Sequence, residues 1–306
     1  VQVVAAVNCG AVVFRVPPPI RPGSVVAIVA PSSPVATFQE LFRGLAWLRT
    51  RYTLRISGRI LGRAGYLAGD DRDRADDLAH AMLDPTVDAI VCARGGYGAM
   101  RIVDALPWDD FERRPKWILG FSDVTALHAV ANRRNIASIH GPNVTGLGRS
   151  ISPAERLSVI GALEGLALHA SWSGLDVINH GRAEGPLVGG NLALVAAMAG
   201  AGEFTVPDGA ILVLEDVTER PYRIDRMLTT LRLGGHLSRA GGVVFGGFDQ
   251  CEPGPDRVTV AQVLRELTQG LGVPVVAGAP FGHGSPNEAF VLGQNAVLEG
   301  SVLRFV

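Results

Sequence analysis

Hydrophobic and polar positions in the first half of this chain alternate between short, continuous apolar runs and longer segments with apolar residues at helical spacing. The run Val25–Ala30 is followed by Pro31-Ser32-Ser33-Pro34, and then by Phe38, Leu41, Phe42, Leu45 and Leu48 at helical intervals over residues 36–50. A short strand is predicted near Tyr52–Ile56, then a helix bearing Leu78, Ala81 and Met82, and a buried strand over Val87–Ala93. Arg94-Gly95-Gly96-Tyr97-Gly98 comes next, with a helix predicted around Ile102, Val103 and Leu106. A strand at Trp117–Leu119, a helix through Val130 and a short strand at Ser138–His140 complete the set. Unbroken apolar runs suit parallel strands covered on both faces, and their alternation with helices predicts a doubly wound, mostly parallel α/β sheet.

From Gly146 to about Gly185 the pattern loosens. A helix over Pro153–Leu168 is followed by polar, glycine-containing pieces, so the interdomain connection is expected here. Beyond it the pattern predicts a helix at Leu192–Ala199, a strand at Ile211–Glu215, a helix at Tyr222–Leu233 and a strand at Gly242–Phe245. A helix at Val260–Thr268, a strand at Val273–Ala277 and a β-rich tail from Glu288 to Val306 follow. The expected organisation is an extension over 1–22, a first domain over 23–148, a connection over 149–184, and a β-rich α/β domain over 185–306.

Ligands of parallel sheets bind beyond the carboxyl ends of strands, where Pro31–Pro34, Arg94–Gly98 and Ser122 all fall. The stretch Trp117–Leu127 reads as a strand, a Gly120-Phe121-Ser122-Asp123 turn and a helix. A strand entering a helix through Gly-x-Ser pushes the serine hydroxyl out at the top of a sheet, with the N–H groups of the helix start directed toward it. The alternative is that Ser122 or Asp123 simply caps the helix. The glycine-rich Arg94–Gly98 segment fails both the dinucleotide and the Walker spacings. It is either a tight turn or a loop whose Gly96 N–H faces a developing oxyanion.

A nucleophile needs a base and an acid. Ile211–Asp216 is an apolar strand finishing in Glu215 and Asp216, which are either buried with a partner or solvated just past the strand end. Of seven histidines, His80, His169, His180 and His236 read as surface residues, whereas His128 and His140 could lie near the serine. His283, in Pro280-Phe281-Gly282-His283-Gly284, is the best base on context, with an imidazole expected to be exposed. The order Ser122, Glu215, His283 matches the serine–acid–histidine order of α/β-hydrolase-type sites.

Composition narrows the classes. A length of 306 residues with 47% hydrophobic suits about two globular domains. A net charge of −1 argues against nucleic-acid or anionic-membrane partners. Lys116 is the sole lysine among 28 basic residues, which looks like coding bias rather than a binding face. Three distant cysteines, Cys9, Cys92 and Cys251, suggest neither a disulfide framework nor a metal knuckle and fit a reducing compartment. No HExxH or Cys/His spacing occurs, so zinc hydrolysis is disfavoured. The apolar opening Val1–Phe14 lacks a preceding basic residue and a small-x-small cleavage site and is too short to span a membrane, so it reads as a loose strand or an appended segment. A cytoplasmic location is expected.

Several segments together resemble the LD-carboxypeptidases, a family of serine peptidases. They are Ala30-Pro31-Ser32-Ser33, RGGYGAMR (94–101), GFSDVTAL (120–127), HGPN (140–143), EGPLVGGNL (184–192), LEDVTERPYRIDRML (214–228) and FGHG (281–284). The resemblance implies an active site between a doubly wound N-terminal domain and a β-rich C-terminal domain. In that site Ser122 would be the nucleophile, His283 the general base and Glu215 the residue orienting it. The N–H groups of Gly96 and Asp123 would form the oxyanion hole. It implies no metal and no cofactor, a homodimer, and removal of terminal D-alanine from murein tetrapeptide during cytoplasmic peptidoglycan recycling. A terminal carboxylate favours arginine, which makes Arg94 and Arg226 candidate substrate contacts, with Tyr97 and Asn191 beside them in the matching segments. Arg223 also lies there; surface placement is the alternative for each arginine. Two rival readings stand beside this one. The first is a peptidase acting on a peptidyl-nucleotide toxin of the microcin type, for which Trp172 would supply an aromatic substrate loop. The second is a non-catalytic α/β ligand-binding protein.

Overall fold

Five of the predicted strands form the parallel part of one sheet: β1 (Val25–Val29), β2 (Thr53–Ile56), β3 (Ala89–Cys92), β4 (Trp117–Gly120) and β5 (Ser138–His140). The computed structural model describes residues 12–149, 151–166 and 170–306. The spatial order β5-β4-β3-β1-β2 reverses between β1 and β3, so the loops after these two strands diverge and leave a crevice at their carboxyl ends. All four residues of β3 and of β4 are buried, as their unbroken apolar runs predict.

Helices α1 (Phe38–Arg49), α2 (Asp71–Leu83), α3 (Trp108–Arg113), α4 (Thr125–Arg133) and α5 (Val144–Leu147) cover this sheet. Asp70 caps α2 by accepting from the Asp73 N–H. The helix expected around Ile102 is instead two 3₁₀ turns, Ala99–Arg101 and Val103–Ala105. Leu106, which precedes Pro107, is extended at ψ 147°, as the residue before a proline favours, so the helical turns stop there. The charged run over 70–74 opens α2 with Asp70 and Arg72 exposed, but Arg74 within it is buried.

The second sheet takes in the pieces expected to form a connection. Strands β6 (Ser171–Ser173) and β7 (Asp176–Asn179) are its two edges, and β8 (Arg182–Asn191) begins three residues before the expected domain start. The parallel centre is β8, β9 (Ile211–Val217), β10 (Gly242–Asp249) and β11 (Val275–Ala277). Helices α6 (Pro153–Glu164), α7 (Leu192–Gly200), α8 (Pro221–Leu233), α9 (His236–Arg239) and α10 (Val260–Thr268) complete the element set. The tail divides: β12 (Phe290–Leu292) pairs antiparallel with β5 in the first sheet, whereas β13 (Asn295–Glu299) and β14 (Val302–Phe305) stay in the second. Hydrophobic pattern reports burial, not which sheet a strand joins, so this crossing was invisible in sequence.

Residues 12–22 are no loose extension. Phe14 and Ile20 are buried, and Arg15 forms a parallel bridge with Ile136. Residues 1–11 of the expected loose strand over Val1–Phe14, with Cys9, and residues 167–169 lie outside the described residues, while the helix expected to run to Leu168 ends at Glu164, where Gly165 turns left-handed at φ 65°. His236 is half-buried rather than on the surface.

One contact between helix and loop bears directly on the site. Ser152 and Glu155 form a capping box at the start of α6. The Glu155 carboxylate also accepts from the Asn287 N–H at 2.8 Å, and the Ser158 hydroxyl accepts from the Ala289 N–H at 2.7 Å. The segment following His283 is thereby tied to the helix between the sheets. Glu155→Ala leaves the buried Asn287 N–H without an acceptor, which costs about 1–3 kcal/mol. Urea unfolding measures this directly, and unchanged stability would show that the tie carries no load.

Candidate active site

The serine turn takes the form its sequence predicts. β4 ends at Gly120, and Ser122 sits in left-handed backbone at φ 63°, a conformation costing about 1–3 kcal/mol for a non-glycine residue. A Cβ on Gly120 would lie 2.8 Å from the Val124 side chain, so only glycine lets the strand turn this tightly into the helix. Eight of the nine α4 residues are buried, which makes the helix a firm seat for the turn. His128 on α4 meets the Gly120 carbonyl at 2.9 Å, and burial lowers its pKa to about 4, so the ring is neutral and donates.

The glycine loop lies against the serine. A Cβ on Gly95 would be 2.8 Å from Ser122 Cβ, and one on Gly96, at φ 107°, would collide with Ser33. Ser33 holds the loop by donating its N–H to the Gly95 carbonyl at 3.3 Å and accepting from the Tyr97 N–H at 3.1 Å. The Gly96 N–H has no acceptor among the described residues. Asp123 stands in the first turn, where N–H groups lack intrahelical acceptors. Its carboxylate is buried and accepts from the Ala99 N–H at 2.8 Å, so the side chain braces the glycine loop rather than facing a histidine.

Glu215 and Asp216 are not solvated beyond the strand, because β9 runs through both and each is buried. Successive residues point to opposite faces. Glu215 accepts from His283 Nδ1 at 2.7 Å. Asp216 accepts from Asn191 Nδ2 and from the Ala193 and Val217 N–H groups. Burial is the main cause that raises the Asp216 pKa to about 6, with the Glu215 charge adding to it. Burial lowers the His283 pKa, but the hydrogen bond and charge of Glu215, with Asp216 and Asp249 beyond, outweigh that and leave it above its ordinary value. The bond to Glu215 keeps the proton on Nδ1 and leaves Nε2 as the acceptor.

The imidazole is not the exposed group expected, since 19% of the side chain is accessible. Its loop is fixed by the Gly284 N–H on Asp249 and the Gly282 N–H on Asn287. The Phe121 ring lies 4.8 Å from the His283 ring, so the residue preceding Ser122 forms a wall of the histidine's pocket. No hydrogen bond joins the Ser122 hydroxyl to His283 among the described residues. His140 is near the site but fully buried between Phe121 and Phe290, with its pKa driven well down by burial.

The other candidate residues fare differently. Tyr97 is 48% exposed and pairs with Tyr66 at 5.7 Å, beside the glycine loop. Arg94 is half-buried and donates to the Pro34 carbonyl, while Arg226 is exposed on α8. Asn191 is buried, with its amide divided between Asp216 and the Leu194 N–H at the start of α7, so it holds structure instead of offering a free group to a ligand. Among the described residues, no group of three or more His, Cys, Asp or Glu side chains could hold a metal ion, and no helix is long and apolar enough to cross a membrane. Sequence reasoning missed Glu155 and Asp249, and placed Ser33 in a matching segment without giving it a role. All three act through backbone N–H groups of other segments, a role that leaves no spacing signal.

A strained serine at a strand-to-helix turn, with a carboxylate-bound histidine alongside, defines a hydrolase of the nucleophilic-serine class. The profile of the LD-carboxypeptidase N-terminal domain matches residues 26–141, and that of the C-terminal domain matches residues 184–298. The chain belongs to the LD-carboxypeptidase family and is a serine-type carboxypeptidase. It is 40% identical over 295 residues to a putative carboxypeptidase of Synechocystis, covering 94% of this chain and 95% of the relative. It is 35% identical over 293 residues to the murein tetrapeptide carboxypeptidase of Pseudomonas aeruginosa, covering 92% and 94%. The crystal structure of a muramoyltetrapeptide carboxypeptidase from Oxalobacter formigenes superposes with a TM-score of 0.80 at 27% identity, covering 92% of this chain and 98% of that one. The microcin C7 self-immunity protein MccF shares the fold, with a TM-score of 0.85 at 20% identity and coverages of 95% and 98%.

The contact at Gly95 yields a prediction. Gly95→Ala should slow covalent labelling of Ser122 by a fluorophosphonate by about tenfold or more, since the added methyl would lie 2.8 Å from Ser122 Cβ and force the serine out of its present position. Intact-mass kinetics of labelling checks this; a wild-type rate would show that the loop yields freely.

Proposed function

We propose that this chain removes the terminal D-alanine of a murein tetrapeptide, using Ser122, His283 and Glu215. The observation that carries the reading is the 2.7 Å bond between the buried Glu215 carboxylate and His283, beside the strained Ser122 turn. Ser122 Oγ attacks the carbonyl of the penultimate residue as its proton passes to His283 Nε2. Negative charge moves to the carbonyl oxygen, which the Gly96 and Asp123 N–H groups receive. The C–N bond breaks, the leaving amine takes the proton from His283, and D-alanine departs. Water, deprotonated by the same Nε2, then hydrolyses the acyl-enzyme. The close approach of Ser122 Oγ to Nε2 belongs to the complex, where such bonds tighten.

The substrate follows the Pseudomonas and Oxalobacter relatives. Trp172 weighs against the toxin-directed alternative: it is buried in β6 against Phe281 and Phe290, and its indole donates to Glu288, so it forms no substrate loop. The reading extends to a homodimer working in the cytoplasm on recycled wall fragments.

The test is mass spectrometry of murein tetrapeptide incubated with the wild type and with Ser122→Ala. D-alanine should appear with the first and fall by about 10³-fold or more with the second. No release by the wild type, or equal release by both, overturns the proposal.

The pH profile follows from His283. A general base works deprotonated, so kcat/KM should rise with pH through a pKa above the ordinary 6.5 of histidine. Glu215→Gln removes the charge that lifts this pKa while burial still lowers it. The acid limb should therefore move to lower pH as kcat drops by about 10²–10⁴. A limb that stays in place in the variant would detach Glu215 from the base.

A further inference from the structure

One peptide group of the glycine loop is gripped at both ends by buried charge. The Gly98 carbonyl accepts from Arg74 Nη1 at 2.9 Å, and the Ala99 N–H, on the same peptide, donates to Asp123 Oδ2 at 2.8 Å. Arg74 is 3% exposed and Asp123 1%. Arg74 Nη1 also donates to the Pro31 carbonyl, so a single guanidinium joins the loop after β1 to the loop after β3. These are the two loops that diverge where the strand order reverses. The other arm of Arg74 pairs with Asp71, which in turn holds Arg101 at 2.7 Å. Gly98, at φ 126°, makes room for this: a Cβ there would lie 2.9 Å from Arg74 Nη1 and 2.6 Å from the Leu67 side chain.

Burying a guanidinium is costly unless its donors are matched, and apolar side chains often pack as well or better in its place. A buried cation between two loops therefore calls for a task that a neutral side chain cannot perform. Its planar fork can fix the direction of two carbonyls at once, which a flexible ammonium does poorly. Two residues before the clamped peptide stands Gly96, whose N–H is free to receive an oxyanion.

We propose that Arg74 and Asp123 clamp the Gly98–Ala99 peptide to fix the rotation of the loop, and that Arg74 thereby aims the Gly96 N–H at the developing oxyanion. Arg74 is a positioning residue that touches no substrate and acts through the loop; Asp71 holds it in place. This rests on the serine-peptidase reading of the site.

The test compares the wild type with Arg74→Met, Arg74→Lys and Asp71→Asn. Steady-state D-alanine release, the rate of Ser122 labelling by a fluorophosphonate, and thermal unfolding are measured for each. Arg74→Met should lose about 30-fold or more in kcat with KM within about threefold, because the affected donor acts on the transition state. Labelling should slow in parallel. Arg74→Lys should fall between Arg74→Met and the wild type, and Asp71→Asn should lose about three- to tenfold in kcat. A role in stability alone would lower the unfolding temperature and leave the kcat of the folded enzyme unmoved.

The clamp is overturned if folded Arg74→Met keeps kcat within about twofold of the wild type, or if the loss lies wholly in KM. Should Arg74→Met not fold, Arg74→Lys and Asp71→Asn decide, and wild-type kcat in both overturns it. If the wild type labels with fluorophosphonate yet releases no D-alanine, the substrate assignment fails, and the clamp is then judged on labelling rates alone.

Discussion

The carboxyl end of β8 meets α4 at a tight contact, the Asn191 N–H on the Thr125 hydroxyl at 3.0 Å. A Cβ on the preceding Gly190 would lie 2.7 Å from that hydroxyl oxygen, so a larger residue would push β8 away from α4. Thr125 stands three residues beyond Ser122 on the buried helix. Asn191 is the register partner of Glu215 across the parallel pair β8–β9. The contact therefore holds the helix that follows Ser122 against the strand paired with that of Glu215. The pairing of β12 with β5 and the packing of Phe121 on His283 join the same two halves at other points.

The histidine is brought in by a second set of ties. Its loop hangs from Asp249 on β10, from Asn287 within the loop, and from Glu155 on α6. Consecutive buried acids, Glu215 and Asp216, would repel each other, and the strand separates them by directing one to each face. Asp216 finds Asn191 and the first turn of α7, where the helix dipole favours negative charge. Glu215 has Oε2 on His283 and, among the described residues, no partner for buried Oε1. With so little competition for its charge, the carboxylate acts chiefly on the imidazole, which is why His283 is raised in spite of burial.

Much of this was legible in sequence because strands covered on both faces read as plain apolar runs, and their ends are where chemistry collects. Ser122 was visible from Gly-x-Ser at a strand end, and His283 from its flanking glycines. Glu215 was legible as a strand-end acid, though not as a buried one, since an apolar run does not say where its last residue points. The residues that tune the site were not legible. Arg74 sits in a run of charges that would suit a solvated helix start, and only the fold reveals that two loop carbonyls turn toward it. β12 could not be assigned to the first sheet, because its three residues carry burial but no register. Asn191 lay in a matching segment, which marks importance without saying whether the amide faces a ligand or a neighbouring acid.

The strained serine ties these observations together. Left-handed backbone at Ser122 persists only if what precedes and follows it cannot relax. Before it, the Gly120 carbonyl is held by the Gly141 N–H at 3.1 Å and by His128 at 2.9 Å. After it, Asp123 grips the glycine loop and Thr125 grips β8. His128 suits this task because burial keeps it neutral, with a pKa near 4, so the donor remains available without a buried charge across the range where His283 titrates. A protonated ring in the same place would be a buried charge with no carboxylate to pair it. The pKa values of the two histidines thus move in opposite directions because only one of them faces a carboxylate.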